Sequence, residues 1–139
     1  MRDPRLGRFR CFAHEVGSVL HVSLEGELDL DMVLETRASL REPMAGWQRT
    51  VVVDLSELTF LDSAGLKFMI DSKREIESRG GRLYLRAPSA VALRVIEVSH
   101  LARWFDWVDA SGRVTERCEA CGSPLAPKAR RCGSCGRAT

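Results

Sequence analysis

Residues 50–85 read TVVVDLSELTFLDSAGLKFMIDSKREIESRGGRLYL, and three textures follow one another within them. Thr50–Leu55 is an unbroken run dominated by valine. β-Branched side chains favour extended backbone, and continuous rather than alternating apolarity points to a strand covered on both faces. Ser56–Leu61 reads as a loop leading to Asp62. From Ser63 to about Arg79 the spacing turns helical, with Leu66, Met69, Ile70 and Ile76 on one face and Phe68 off it. Gly80-Gly81 stops that helix, and Leu83-Tyr84-Leu85 opens another strand. Helices alternating with strands from Thr50 onward imply an α/β fold, a mixed β-sheet covered by helices.

The flanking sequence extends this pattern in both directions. Phe9–His14 and Ser18–Glu25 are apolar runs on either side of Glu15-Val16-Gly17. In the second, Val22 and Leu24 alternate with Ser23 and Glu25, so the two read as a hairpin. Gly26 introduces Glu27-Leu28-Asp29-Leu30. Asp31 is placed to cap a helix over Met32–Arg41, which Pro43 and Gly46 end. Downstream, Ser89 begins a third helix in which Val91, Val95 and Val98 share a face. Trp104, Phe105 and Trp107 form a closing aromatic plug. The expected order is β-β-α-β-α-β-α, with a last short strand left open.

Composition bounds the class. The 139 residues suit one ordinary domain and a small appendage. With 45% hydrophobic and 29% charged residues the chain is neither disordered nor collagen-like. A net charge of +2 provides no chain-wide attraction to nucleic acid or to an anionic membrane. No apolar run approaches the roughly 18 residues of a membrane span. The start, MRDPRLGRFR, is charged with no apolar stretch behind it, so a cytoplasmic protein without membrane insertion is expected.

Charge and cysteine are unevenly placed. Residues 113–139 hold six Lys or Arg against two Glu, a formal +4, together with four of the five cysteines. No aromatic residue follows Trp107. These shifts divide the chain into a flexible leader 1–8, a body 9–110, a polar linker 111–117 and a cysteine segment 118–136.

That segment holds Cys118-Glu119-Ala120-Cys121 and Cys132-Gly133-Ser134-Cys135. Two C-x2-C pairs bend around an ion from two sides and complete a closed tetrahedral shell, so the expected cofactor is a structural Zn²⁺ held as in a zinc ribbon. Glycines after Cys121, Cys132 and Cys135 suit the turns of such knuckles. So short a segment has no hydrophobic core, and metal supplies its folding energy, about 10–16 kcal/mol for structural zinc. Chelation is accordingly expected to melt this segment alone. Disulfides and a redox pair are the competing readings. Cys11, alone on a strand, reads as a small buried apolar residue.

Leu24-Glu25-Gly26-Glu27-Leu28-Asp29, Val51–Ser56 and Phe60-Leu61-Asp62-Ser63-Ala64-Gly65-Leu66, in this order and spacing, resemble the STAS domains of anti-sigma-factor antagonists. The resemblance spans most of residues 9–109. It implies a regulatory protein-binding module that sequesters an anti-sigma factor, itself a serine kinase. It makes Ser63 the phosphorylation site that ends the binding, with a phosphatase restoring it, and places Asp29 near the same surface. Ala64 stands where many members carry a second Ser or Thr.

Local chemistry offers both a functional and a bland reading of this joint. Ser63 or Asp62 serves as a helix cap on pattern alone. Yet the first N–H groups of a helix favour negative charge, so phosphate there leaves the fold intact while breaking a packed contact. Asp29, Asp62, Ser63, Ala64, Gly65 and Phe68 are the expected partner-binding residues. Asp54, ending a central strand, has a structural reading. His14, His21 and His100 are scattered, no catalytic constellation is present, and an enzyme is not expected. Two alternatives stay open: a STAS-like accessory subunit of a lipid or anion transport system, and a nucleic-acid-associated regulator acting through the ribbon. The ribbon lacks aromatic groups for base stacking, so nucleic acid is not the expected partner. The sequence leaves the oligomeric state unassigned.

Overall fold

The computed structural model describes residues 9–29, 50–126 and 128–139. The helix expected over Met32–Arg41, with its cap Asp31, and the leader 1–8 lie outside the described residues.

Seven elements are described: β1 (Arg10–Val16), β2 (Val19–Leu28), β3 (Thr50–Leu61), α1 (Ser63–Ser78), β4 (Arg82–Arg86), α2 (Ala90–Val98) and β5 (Asp106–Val108). β1 and β2 form the expected hairpin, closed by Gly17-Ser18 with Gly17 at φ 61°. The strands lie in sequential order β1-β2-β3-β4-β5, β1 antiparallel to β2 and the rest parallel. Right-handed crossovers that always step the same way along a sheet place their helices on one face. The core is built accordingly. Leu20, Val22 and Leu24 of β2, Val51, Val53 and Leu55 of β3, Leu83 and Leu85 of β4 and Trp107 of β5 pack in one cluster with residues of α1 and α2.

β3 is twice as long as expected. Ser56–Leu61 is strand, not loop. The β2–β3 pairing shifts register twice, between Ser23 and Glu25 and between Gly26 and Glu27, and each shift puts an extra residue into β3. Such bulges change the side-chain repeat. Leu55, Leu58 and Leu61 are therefore all buried at a spacing of three, which does not read as a strand.

Both helices bury faces that differ from the sequence reading. On α1 the buried residues are Gly65, Leu66, Phe68, Met69, Lys73 and Ile76. Phe68 is 6% exposed and belongs to the core, while Ile70 is half-buried. The face is rotated toward Phe68 because Gly65 lets the start of the helix press against β2. Lys73 is buried by pairing: its Nζ lies 2.5 Å from Glu77, 3.7 Å from Asp106 and 4.8 Å from the centre of the Trp104 ring. On α2, Ala92 and Ile96 face the core, whereas Val91 and Val98 are exposed. That segment is apolar nearly all round, so spacing alone could not select a face.

The aromatic plug forms as expected, and it includes the last short strand. Phe105 and Trp107 are fully buried, and the Trp107 indole donates to the Ala102 carbonyl at 3.0 Å. Trp104 packs edge-on against Phe105. After β5 the Asp109 carboxylate accepts from the Ser111 hydroxyl and from the N–H groups of Ser111 and Arg113. This turns the segment read as a linker back along β5. Val114 bridges Val108, and Thr115 N–H donates to the Trp107 carbonyl at 2.9 Å.

Candidate functional site: a helix-start serine and a four-cysteine cluster

Asp62 leaves β3 with extended backbone and caps α1. Its Oδ1 accepts from Gly65 N–H at 2.9 Å, and its carbonyl accepts from Leu66 N–H at 3.0 Å. Its own N–H points at the Leu28 carbonyl, 3.4 Å away. The helix start is thus anchored to the end of β2, where Leu28 pairs Leu61. Gly65 makes this approach feasible. A Cβ there would lie 2.7 Å from the Leu28 carbonyl oxygen and 2.7 Å from Leu61 Cδ1.

This geometry brings most of the expected residues to one corner. Asp29 directly follows Leu28, and Asp62, Ser63, Ala64 and Gly65 form the cap and first turn. Ser63 is exposed; Asp29, Asp62 and Ala64 are half-buried. Because Asp62 supplies the cap, Ser63 has no capping duty. Phe68 does not reach this surface, which corrects its expected exposure.

Phe60 was missed. It sits on β3 opposite Glu27, three residues before Ser63, and is 45% exposed. The signal was present in Leu58-Thr59-Phe60-Leu61, but the loop reading gave its side chain no direction. Lys67, one turn after Ser63, is exposed and paired with Asp71 at 3.0 Å.

Asp54 serves the sheet. It stands opposite Arg86 in the β3–β4 register, and the two are 2.9 Å apart. Burial pushes the Asp54 carboxyl up. The Ser56 hydroxyl and N–H and the Arg86 guanidinium outweigh that and hold it below the usual carboxylate range. Cys11 packs half-buried against the core, and burial raises its thiol to about 11, which leaves it unreactive.

The four sulfurs of Cys118, Cys121, Cys132 and Cys135 lie within 4.8 Å of one another. Cys118 and Cys135 are 3.6 Å apart, as are Cys121 and Cys132. A disulfide needs about 2.05 Å. A tetrahedral ion with bonds of about 2.3 Å sets sulfurs roughly 3.8 Å apart, so the cluster suits such an ion. The two knuckles repeat one hydrogen-bond pattern. Gly122 N–H donates to the Cys118 carbonyl at 2.8 Å, and Gly136 N–H to that of Cys132 at 3.0 Å. Cys118 N–H reaches the Ser123 carbonyl, and Cys132 N–H that of Arg137, each at 2.9 Å. Gly122 and Gly136 both adopt positive φ, 79° and 78°. The Cys121 N–H, aimed at Cys118, holds that thiol down at about 6.

A sequentially ordered mixed sheet with both described helices on one face, and a capped helix start presenting an exposed serine at the carboxyl ends of its parallel strands, is the arrangement of a STAS-type regulatory domain. Comparison with known proteins agrees. The family model described as "Mlab, STAS domain" matches residues 11–109, ending before the four cysteines. The anti-sigma F factor antagonist of Lysinibacillus sphaericus is 33% identical over 84 residues, 60% of this chain and 72% of that protein. The anti-sigma factor antagonist SpoIIAA in its unphosphorylated form superposes with a TM-score of 0.62 at 28% identity, covering 73% of this chain and 88% of that one. Its phosphorylated form, from Bacillus, gives 0.57 at 29%, over 73% and 90%. An antagonist from Mycobacterium paratuberculosis shares the fold, with a TM-score of 0.65 at 23% identity over 73% and 86%. The chain belongs to the STAS-domain family of anti-sigma factor antagonists.

Proposed function

We propose that this chain binds an anti-sigma factor that is also a serine kinase, and that phosphorylation of Ser63 ends the binding until a phosphatase reverses it. The observation that carries this reading is the exposed Ser63 on the first turn of α1, relieved of capping by Asp62. A relative named as an anti-sigma factor antagonist and the two phosphorylation states of SpoIIAA support it. The binding surface comprises Asp29, Phe60, Ser63 and Ala64, with Asp62 and Gly65 fixing the backbone beneath. Phosphate adds about −1.5 to −2 charge beside Asp29. The helix start tolerates it, and a packed partner does not. The protein acts as a cytoplasmic binding module rather than an enzyme. Among the described residues, no helix is long and apolar enough to cross a membrane.

The four cysteines hold a structural Zn²⁺. All four positions of the shell are filled by thiolate, so the ion has no open site and its role is to fold the ribbon.

The test is incubation with a candidate kinase and ATP, followed by pull-down of wild type, Ser63→Ala and Ser63→Glu. ATP should abolish binding of the wild type and leave Ser63→Ala bound, and Ser63→Glu should bind weakly throughout. Wild-type binding that ignores ATP, with both variants unchanged, would refute the switch.

A further inference from the structure

The ribbon does not hang from the body; it is fastened to it. The Arg103 guanidinium, between α2 and β5, donates to the carbonyls of Glu119 and Ala120, the two residues inside the first C-x2-C knuckle. Gly122 closes on the same arginine so tightly that a Cβ there would lie 2.0 Å from Arg103 Cγ and 2.9 Å from its N. Ser123, fully buried, donates its hydroxyl to Glu97 Oε2 of α2 at 3.0 Å. Arg117 reaches back to the Arg103 and Phe105 carbonyls. Except for those of Arg117, these contacts come from residues inside the first knuckle or directly after it. The two carbonyls that meet the guanidinium lie between Cys118 and Cys121. The Ser123 carbonyl is itself held by Cys118 N–H at 2.9 Å.

From this we infer that Arg103 is a positioning residue for the metal site, and that metal occupancy clamps α2 and β5 of the STAS body. The inference rests on the metal reading above. A second-sphere partner that orients a ligand loop raises metal affinity. A guanidinium beside a four-thiolate shell also places positive charge next to an anionic centre. Coupling is reciprocal: whatever Arg103 adds to metal binding, metal adds to the stability of the segment that carries Arg103. Chelation then loosens Glu97–Val108 as well as the ribbon, contrary to the sequence expectation that the ribbon melts alone. The same segment holds Trp104, against which Lys73 of α1 packs.

The experiment uses the full chain. Zn²⁺ affinity is measured by competition with a chromophoric chelator for wild type, Arg103→Ala, Arg103→Lys and the charge control Arg113→Ala. Amide hydrogen exchange is followed with and without excess chelator. Wild type should bind one equivalent. Arg103→Ala should lose affinity about 10- to 100-fold, in line with second-sphere substitutions elsewhere. Arg103→Lys, keeping charge but not the planar fork, should fall between, and Arg113→Ala should match wild type. Chelation should speed exchange in Glu97–Val108 of the wild type at least tenfold, and by a clearly smaller factor in Arg103→Ala, which keeps only the Ser123–Glu97 and Arg117 contacts. Arg103→Ala affinity within twofold of wild type, or body exchange in the wild type indifferent to chelator, overturns the clamp while leaving the zinc reading intact. Wild type that binds no zinc overturns both, and is seen before any variant is made.

Discussion

Gly65→Ala sets two effects against each other. In a helix alanine is favoured over glycine by up to about 1 kcal/mol, less in a first turn, so propensity predicts a more stable protein. Packing predicts the opposite. The new methyl would meet the Leu28 carbonyl oxygen and Leu61 Cδ1, each at 2.7 Å, and Leu28 Cγ at 3.0 Å. Non-bonded carbons sit comfortably at about 3.5–4.0 Å. Neither neighbour has room to give: Leu28 is 0% and Leu61 4% exposed, and the oxygen is backbone. Overpacking of this kind costs about 1–3 kcal/mol. Moving the helix away also stretches the Asp62–Leu28 contact, already 3.4 Å. The expected net is a destabilisation of about 2 kcal/mol, or roughly 8 °C in Tm at about 4 °C per kcal/mol for a chain of this size. Urea unfolding at constant m-value measures it. A variant as stable as wild type, or more so, would mean that α1 is not pressed onto the end of β2 and that Ser63 is not held there.

Phe68→Ala should cost about 3–5 kcal/mol, because Phe68 is buried beside a small apolar cavity of about 20 Å³ lined also by Val22, Leu24 and Met69; partner affinity per folded molecule, from titration at low temperature, should not change. Phe60→Ser should do the reverse, leaving urea stability within about 0.5 kcal/mol as surface changes usually do and weakening the partner complex about tenfold or more by calorimetry. For Asp54 the folded carboxyl is held low, so its contribution is complete above the ordinary aspartate pKa of about 3.9 and fades as pH falls through the folded value. The stability gap between wild type and Asp54→Asn should therefore be widest near neutrality and narrow below about pH 4; a gap independent of pH would remove the Arg86 pair from the account.

What the sequence revealed and what it concealed divides along physical lines. The hairpin, the start of α1 and the knuckles are local: alternation, an Asp before a helical run and Cys–Gly spacing each act within a few residues. The second half of β3 was hidden because two bulges replace the period of two by steps of three at Leu55, Leu58 and Leu61. Helical spacing leaves Phe68 off the core face because it says which residues share a face, not how far a neighbouring strand wraps it. Gly65 is the clue, since the close approach of Leu28 and Leu61 accounts for a glycine in the first turn of the helix. Exposed Val91 and Val98 show the same limit in a helix apolar on every side. Arg103 could not be found at all from local pattern: its partner carbonyls lie 16 and 17 residues away, and an arginine gives no hint of which carbonyls it will meet.

The Leu28–Gly65 contact also restricts what can act on Ser63. A serine in a flexible segment is drawn into an enzyme as an extended peptide. Ser63 is locked into the opening turn of a helix whose backbone is stapled to a neighbouring strand. Under the function proposed for Ser63, an enzyme that modifies it must dock against the intact domain and take the hydroxyl where it stands. The substrate it recognises would then be a shape assembled from residues more than thirty positions apart, Asp29 among them. A synthetic peptide covering residues 58–68 would contain every atom of the acceptor and almost none of its recognition.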